Sequence, residues 1–241
     1  MMAIVEELRE VFFPPKGSAH GPVAPLLLLL TFVTGLVDAF SYLALGHVFV
    51  ANMTGNVLFL AFALAGAHGL SATASVVALL AFVVGAAVGG KIHSLMEQHR
   101  ARLLTVSSVV QAALLLVAVA LTVARHAPLD GGLRYALVVV LAIAMGVQNA
   151  ASRKLAVPDL TTTVLTLTLT GIGADSTWVG GPGSHGTRRM LSVVTMFLGA
   201  FVGALFVLHV GIYDPLLFAL VGAATVAVAS RSLGRSNPDW R

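Results

Sequence analysis

VFVANMTGNVLFLAFALAG, residues 48–66, runs through the most apolar part of the chain, yet Asn52, Thr54, Gly55 and Asn56 stand at its centre. A helix that merely crosses lipid has no use for two amides and a glycine. Irregular backbone at membrane depth does, because each of its polar groups needs a partner inside the protein. The apolar part, about 53–66, would cover only roughly 21 Å as a helix. A full crossing takes roughly 20 residues over about 30 Å. The stretch therefore predicts a short helix starting from a turn within the membrane, with Asn52, Thr54 and Asn56 capping its first backbone groups and Gly55 permitting close approach.

The surroundings define the class. The chain has 241 residues, of which 58% are hydrophobic and 10% charged, and its mean hydropathy is +0.95. Soluble domains are about 25% charged, so the composition is that of an integral membrane protein. Cysteine is absent, which excludes disulfides and thiolate metal sites. The pI near 10.0 raises the question of nucleic acid. The basic residues, however, are scattered at the ends of apolar segments, and no nucleic-acid partner is expected. Glu6, Glu7 and Glu10 stand where a cleavable signal needs positive charge. Residues 1–22 read instead as a cytoplasmic tail, either frayed or forming a short surface helix that Pro14 and Pro15 stop.

Six stretches, about 25–45, 70–90, 104–123, 133–151, 190–210 and 215–230, predict transmembrane helices. The last is short and needs its flanks. Two further apolar segments, about 53–66 and 160–173, are too short for an ordinary span. If both dip in and return, and the N-terminus is cytoplasmic, every lysine and arginine except Arg125 and Arg134 lies inside. If both cross fully, Lys91, Arg100, Arg102, Arg153 and Lys154 lie outside instead, Arg125 and Arg134 move inside, and the bias weakens. The positive-inside rule prefers the first arrangement, with both termini cytoplasmic and 231–241 as a C-terminal tail.

The halves resemble each other at an offset of about 111 residues. GLVDA (35–39) matches GVQNA (146–150), with Asp38 opposite Asn149, and TGNV (54–57) matches TTTV (161–164). VGAAVGG (84–90) matches LGAFVGA (198–204), and AALLLVA (112–118) matches AATVAVA (223–229). The common order makes the set persuasive although each apolar match is weak. The expected fold is one all-α membrane domain, 23–230. It has six full transmembrane helices, two short broken or re-entrant helices, and an inverted internal repeat (about 23–124 and 132–230). Pro158, Asp159 and Thr161 to Thr163 supply the second helix start.

GLVDAFSYLALGHVFVANMTGNVLFL (35–60) and GVQNAASRKLAVPDLTTTVLTLTLTG (146–171) closely resemble the YoaK-like family of bacterial multi-pass membrane proteins, a domain of unknown function. The likeness extends over about 22–230. It implies a bacterial inner-membrane protein and brings no established activity, ligand or site.

The candidate site residues are Asp38, Asn52, Thr54, Asn56, Gln148, Asn149 and Thr162. Asp38 is the sole acid within a long apolar segment, where a charge costs roughly 2.5–3.5 kcal/mol on insertion scales. It reads as a protonatable group or cation ligand facing a cavity, as a structural acceptor for the 52–56 turn, or as an acid near the outer interface. Gln148 and Asn149 read as ligand groups or as bridges between helices, at about 1 kcal/mol per bond. Thr162, Thr166 and Thr170 would stripe one helix face, lining a polar path or bonding back to carbonyls four residues earlier. The glycine motifs read as close helix contacts. GGPGSHG (180–186) lacks the lysine of a phosphate loop, and no histidine spacing suits zinc.

The expected function is a small-solute transporter or channel with a midplane site made by both halves. An accessory subunit without a ligand is the alternative. An intramembrane enzyme is disfavoured, since no nucleophile–base pair or metal cluster is legible. No cofactor or metal is expected. The expected partners are the lipid bilayer and a small molecule or ion of undecided charge, with self-association left open.

Overall fold

A computed structural model describes residues 7–9, 11–13, 23–96, 99–125, 129, 131–155, 165–175, 180 and 186–236. These form helices α1 (Val23–Ala44), α2 (Met53–Leu64), α3 (Ala72–Ser94), α4 (Arg100–Arg125), α5 (Gly131–Leu155), α6 (Leu165–Ala174), α7 (Gly186–His209) and α8 (Asp214–Ser236). No strand occurs among the described residues. Six of the helices, all but α2 and α6, are long and apolar enough to cross a membrane. The last span does take its flanks: α8 continues beyond residue 230 through Arg231 and Arg235, whose long stems can carry charge out to the interface.

Packing settles the relative directions of the six long helices. Phe32 of α1 lies against Gly199 of α7, and Leu36 and Ala39 lie against Gly203, so α1 and α7 run parallel. Ile143 of α5 meets Gly85 of α3, and Val147 and Ala150 meet Gly89, so α3 and α5 also run parallel. Gly46 beside Arg134 at one end, and Leu30 and Thr34 beside Gln148 further in, set α1 against α5 antiparallel. Ala101 beside Gly234 and Thr105 beside Ser230 do the same for α4 and α8. The Arg100 guanidinium donates to the Leu155 carbonyl, which places the start of α4 at the end of α5. Hence α1, α4 and α7 run one way and α3, α5 and α8 the other. Lys91, Arg100, Arg102, Arg153, Lys154, Arg188, Arg189, Arg231 and Arg235 then collect at one end of the bundle, with Arg125 and Arg134 at the other.

The glycine motifs hold the bundle together. A side chain on Gly35 would collide with the backbone of Gly199 and Ala200, and one on Gly146 with the backbone of Phe82, Gly85 and Ala86. Lipid is as apolar as leucine and supplies no hydrophobic drive between helices, so close backbone approach and dispersion must do the work. α1 is the most enclosed of the six long helices, α5 the next and α7 the least. Phe197, Phe201 and Leu208 of α7 are exposed, as lipid-facing side chains are. Before α1, Val11 is buried among Val23, Leu27 and Leu104, while Phe12 and Phe13 are exposed. The Glu7 carboxylate accepts from the Thr187 N–H at 3.2 Å, which places a negative charge at the start of α7. Pro14, Pro15, Pro158, Asp159 and Thr161 to Thr163 lie outside the described residues, as does the GGPGSHG loop apart from Gly180 and Gly186.

Candidate functional site

The opening stretch forms a side-chain-supported turn. After α1 the chain reverses through Gly46 (φ +83°) and His47 (φ +59°), the latter the sole non-glycine among the described residues with positive φ. It then travels back along α1. Asp38 Oδ1 accepts from the N–H groups of Val50 (3.0 Å) and Ala51 (2.9 Å). Asn56 clasps Phe49 from the other side, its Oδ1 accepting from the Phe49 N–H at 3.0 Å and its Nδ2 donating to the Phe49 carbonyl at 2.7 Å. Leaving a buried backbone donor unpaired costs on the order of 1–3 kcal/mol, and these two side chains remove that penalty at four backbone groups. On leaving α2, Gly69 offers its carbonyl to His47, whose Nδ1 lies 3.2 Å away.

The roles within the motif differ from the expected ones. Asn52 holds the N-cap position of α2, but its side chain makes no capping bond. Asp38 and Asn56 satisfy the backbone groups that precede it, and Asn52 itself is exposed on the wall of a cleft. Thr54 is exposed on the first turn of α2. Gly55 permits the close approach anticipated: a Cβ there would come within 2.8 Å of the Phe49 ring. That ring stacks on Tyr42 (centroids 5.0 Å apart) and Phe59 (5.6 Å) and has nowhere to go.

The cleft is about 290 Å³ and lies between α1, α7 and the turn. Asp38, Tyr42, Phe49, Asn52, Met196 and Ala204 line it. Asp38 is only 4% exposed, and its second oxygen, Oδ2, is buried without a hydrogen-bond partner. The carboxyl stands six residues before the end of α1, about 9 Å of helical rise below it.

A second polar layer sits one helical turn deeper. Gln148 Nε2 donates to Thr34 Oγ1 at 2.8 Å and to the Leu30 carbonyl at 3.3 Å, and Gln148 Oε1 accepts from Gln111 Nε2 at 2.5 Å. This ties α1, α5 and α4 together near the middle of α1 and α4, with Gln148 1% exposed. Asn149 is half-buried beside it and donates to the Met145 carbonyl at 2.9 Å. The candidates thus separate into an Asp38–Asn56 turn and a Gln148 layer. Thr162 lies outside the described residues. Thr170 bonds back to the Thr166 carbonyl at 2.9 Å and both are exposed, whereas Thr168 is the buried threonine of α6. Sequence reasoning passed over Gln111, although it is the sole amide in the 104–123 segment and so carried the same signal as Gln148. Tyr42, Phe49 and Met196 gave no signal, since aromatic and sulfur side chains are unremarkable in apolar segments.

Six long apolar helices, lipid-facing leucines and phenylalanines, and polar groups enclosed within define a multi-pass helical membrane protein. The chain belongs to the family described as "protein of unknown function (DUF1275)", whose pattern matches residues 26–229. It is 34% identical over 155 residues to the UPF0700 transmembrane protein YoaK of Bacillus subtilis (strain 168). That match covers 62% of this chain and 65% of the relative, just under two thirds of its length. No solved structure matches the chain.

Proposed function

We propose that this protein is a small-solute transporter or channel of the bacterial inner membrane, with both termini cytoplasmic and no covalent chemistry of its own. The observation that carries the reading is the cleft lined by Asp38 with aromatic and sulfur side chains, together with a carboxylate oxygen of Asp38 that is buried without a partner. A carboxylate beside the rings of Tyr42 and Phe49 suits a small cation or protonated amine better than an anion. Below it, Gln111 Oε1, Ser107 Oγ, Ser108 Oγ and Ser152 Oγ are buried and unpartnered, and lie from the midplane layer toward the basic end. Buried polar atoms left without protein partners are where water is held. A hydrated path from Asp38 past Gln148 is the route we assign to the solute or its coupled proton.

The scaffold we assign is an inverted repeat with two re-entrant helices. Its support is that contacts of one half recur in the other at matching positions: Phe32 on Gly199 answers Ile143 on Gly85, and Leu36 and Ala39 on Gly203 answer Val147 and Ala150 on Gly89. The opposite directions of α1 and α5, of α3 and α7 and of α4 and α8 fit the inversion. The 3.2 Å approach of His47 to Gly69 fits a segment that enters and leaves on one side.

The test is purified protein titrated with tetramethylammonium and small primary amines while thermal unfolding is followed, since a ligand bound only by the native state raises Tm. The rise should appear in the wild type and vanish in Ala204→Phe, which fills the cleft and leaves Asp38 in place. Proteoliposomes loaded with a pH dye should then report coupled proton movement that Asp38→Asn removes. If no cation or amine shifts Tm in the wild type, the accessory-subunit reading takes over. The closed Thr34–Gln148–Gln111 bonds favour that second reading, because they fill the midplane with mutual hydrogen bonds.

A further inference from the structure

At the basic end of the bundle, α4 and α8 meet so closely that a Cβ on Gly234 would come within 2.8 Å of Ala101 Cβ. Beside this contact opens a cleft of about 560 Å³. Arg102 enters it from α4 and Arg231 and Arg235 from α8, the latter two four residues apart and so on one helix face. Its floor is the hydroxyl pair of Thr105 and Ser230, whose oxygens are 2.8 Å apart. His99 stands on the wall, with its Nδ1 buried and unpartnered. No carboxylate among the described residues lines the cleft. Three arginines lining one hollow concentrate positive charge that an anion would neutralise, and their planar forks match phosphate oxygens in pairs. Scattered positive-inside arginines would need no shared cavity to bring them together.

We infer that the α4–α8 cleft binds a phosphate-bearing anion at the membrane surface, held by Arg102, Arg231 and Arg235. The shared chemistry is a phosphate monoanion or diester, which an anionic phospholipid headgroup or a free phosphate can supply. The inference is independent of Asp38 and its cleft.

The test uses the full-length protein in nanodiscs of phosphatidylcholine alone and of phosphatidylcholine with 30% phosphatidylglycerol (about that fraction). Lipids retained on the protein are counted by native mass spectrometry, and Tm is followed with and without added inorganic phosphate. Each arginine near an anionic surface changes binding about five-fold, so the triple variant Arg102→Gln/Arg231→Gln/Arg235→Gln should lose roughly a hundred-fold in affinity. The control Arg153→Gln/Lys154→Gln removes charge from the same end outside the cleft and should keep the affinity. Retention of phosphatidylglycerol that fails only in the triple variant assigns the cleft to lipid. A Tm rise with phosphate in phosphatidylcholine discs that fails only in the triple variant assigns it to a free anion. Should the triple variant not fold, the single variants carry the test at about five-fold each. Equal loss in the control, or no preference for either anion in the wild type, overturns the inference.

Discussion

The two oxygens of Asp38 have different tasks, and substitutions can separate them. Oδ1 takes the Val50 and Ala51 N–H groups, while Oδ2 is buried without a hydrogen-bond partner. Asp38→Asn keeps one carbonyl oxygen for the turn and should stay folded, whereas Asp38→Leu strands two buried donors and should cost about 2–5 kcal/mol, read from thermal unfolding in detergent. Asn56 is the stricter case, because its amide uses both ends, Oδ1 accepting from the Phe49 N–H and Nδ2 donating to the Phe49 carbonyl. Asn56→Leu should destabilise by about 2–4 kcal/mol, while Asn52→Ala, which removes no capping bond, should leave stability within about 0.5 kcal/mol. Equal losses at positions 52 and 56 would mean that the turn is held in some other way. These roles were half legible. An acid or amide in an apolar run stands out, so Asp38, Asn56 and Gln148 could be found by type alone. Their partners could not. Asp38 reaches backbone groups twelve and thirteen residues away, and Gln111 reaches Gln148 thirty-seven residues away. A backbone N–H has no letter in the sequence, and only the folded chain brings such distant positions together.

At the scale of helices, the pattern was easier to read, because lipid imposes few solutions. Length and hydropathy marked six spans, and small residues marked where they touch. The contacts make this testable at single glycines. A Cβ on Gly85 would run into the Ile143 backbone, and backbone does not rotate aside as a side chain can. Gly85→Ala should destabilise by about 1–3 kcal/mol. Gly90, on the same helix, has nothing within 4 Å of the added atom, so Gly90→Ala should be neutral or slightly stabilising through better helix propensity. Thermal unfolding of the two variants side by side decides between specific contact and general glycine flexibility; equal destabilisation would remove the contact. The start of α2 was less legible for a related reason. Asn52 looks like the best cap by position and type, but its side chain makes no capping bond. The side-chain support falls instead on the backbone just before it, where Asp38 from α1 takes the Val50 and Ala51 N–H groups.

For the whole molecule, the side on which each loop lies is directly measurable, because the chain lacks cysteine. His47, His68 and Arg153 are all exposed and lie at helix ends or in the connection between α2 and α3, so a cysteine at each can meet a reagent. The re-entrant reading puts positions 47 and 68 together, since the chain dips and returns between them, and the bond from His47 to Gly69 spans no membrane. It puts position 153 on the opposite side, at the end where the arginines collect. With the N-terminus cytoplasmic, His47→Cys and His68→Cys should label with an impermeant thiol reagent in intact cells, and Arg153→Cys only after the membrane is opened. Were α2 to cross fully, position 68 would change sides relative to 47, and the trio would read outside, inside, outside. An upside-down molecule with re-entrant helices would instead read inside, inside, outside. Each topology gives its own pattern, so one labelling series distinguishes them. The first pattern is expected because it alone keeps the nine lysines and arginines at the basic end on the cytoplasmic side while leaving Arg125 and Arg134 opposite.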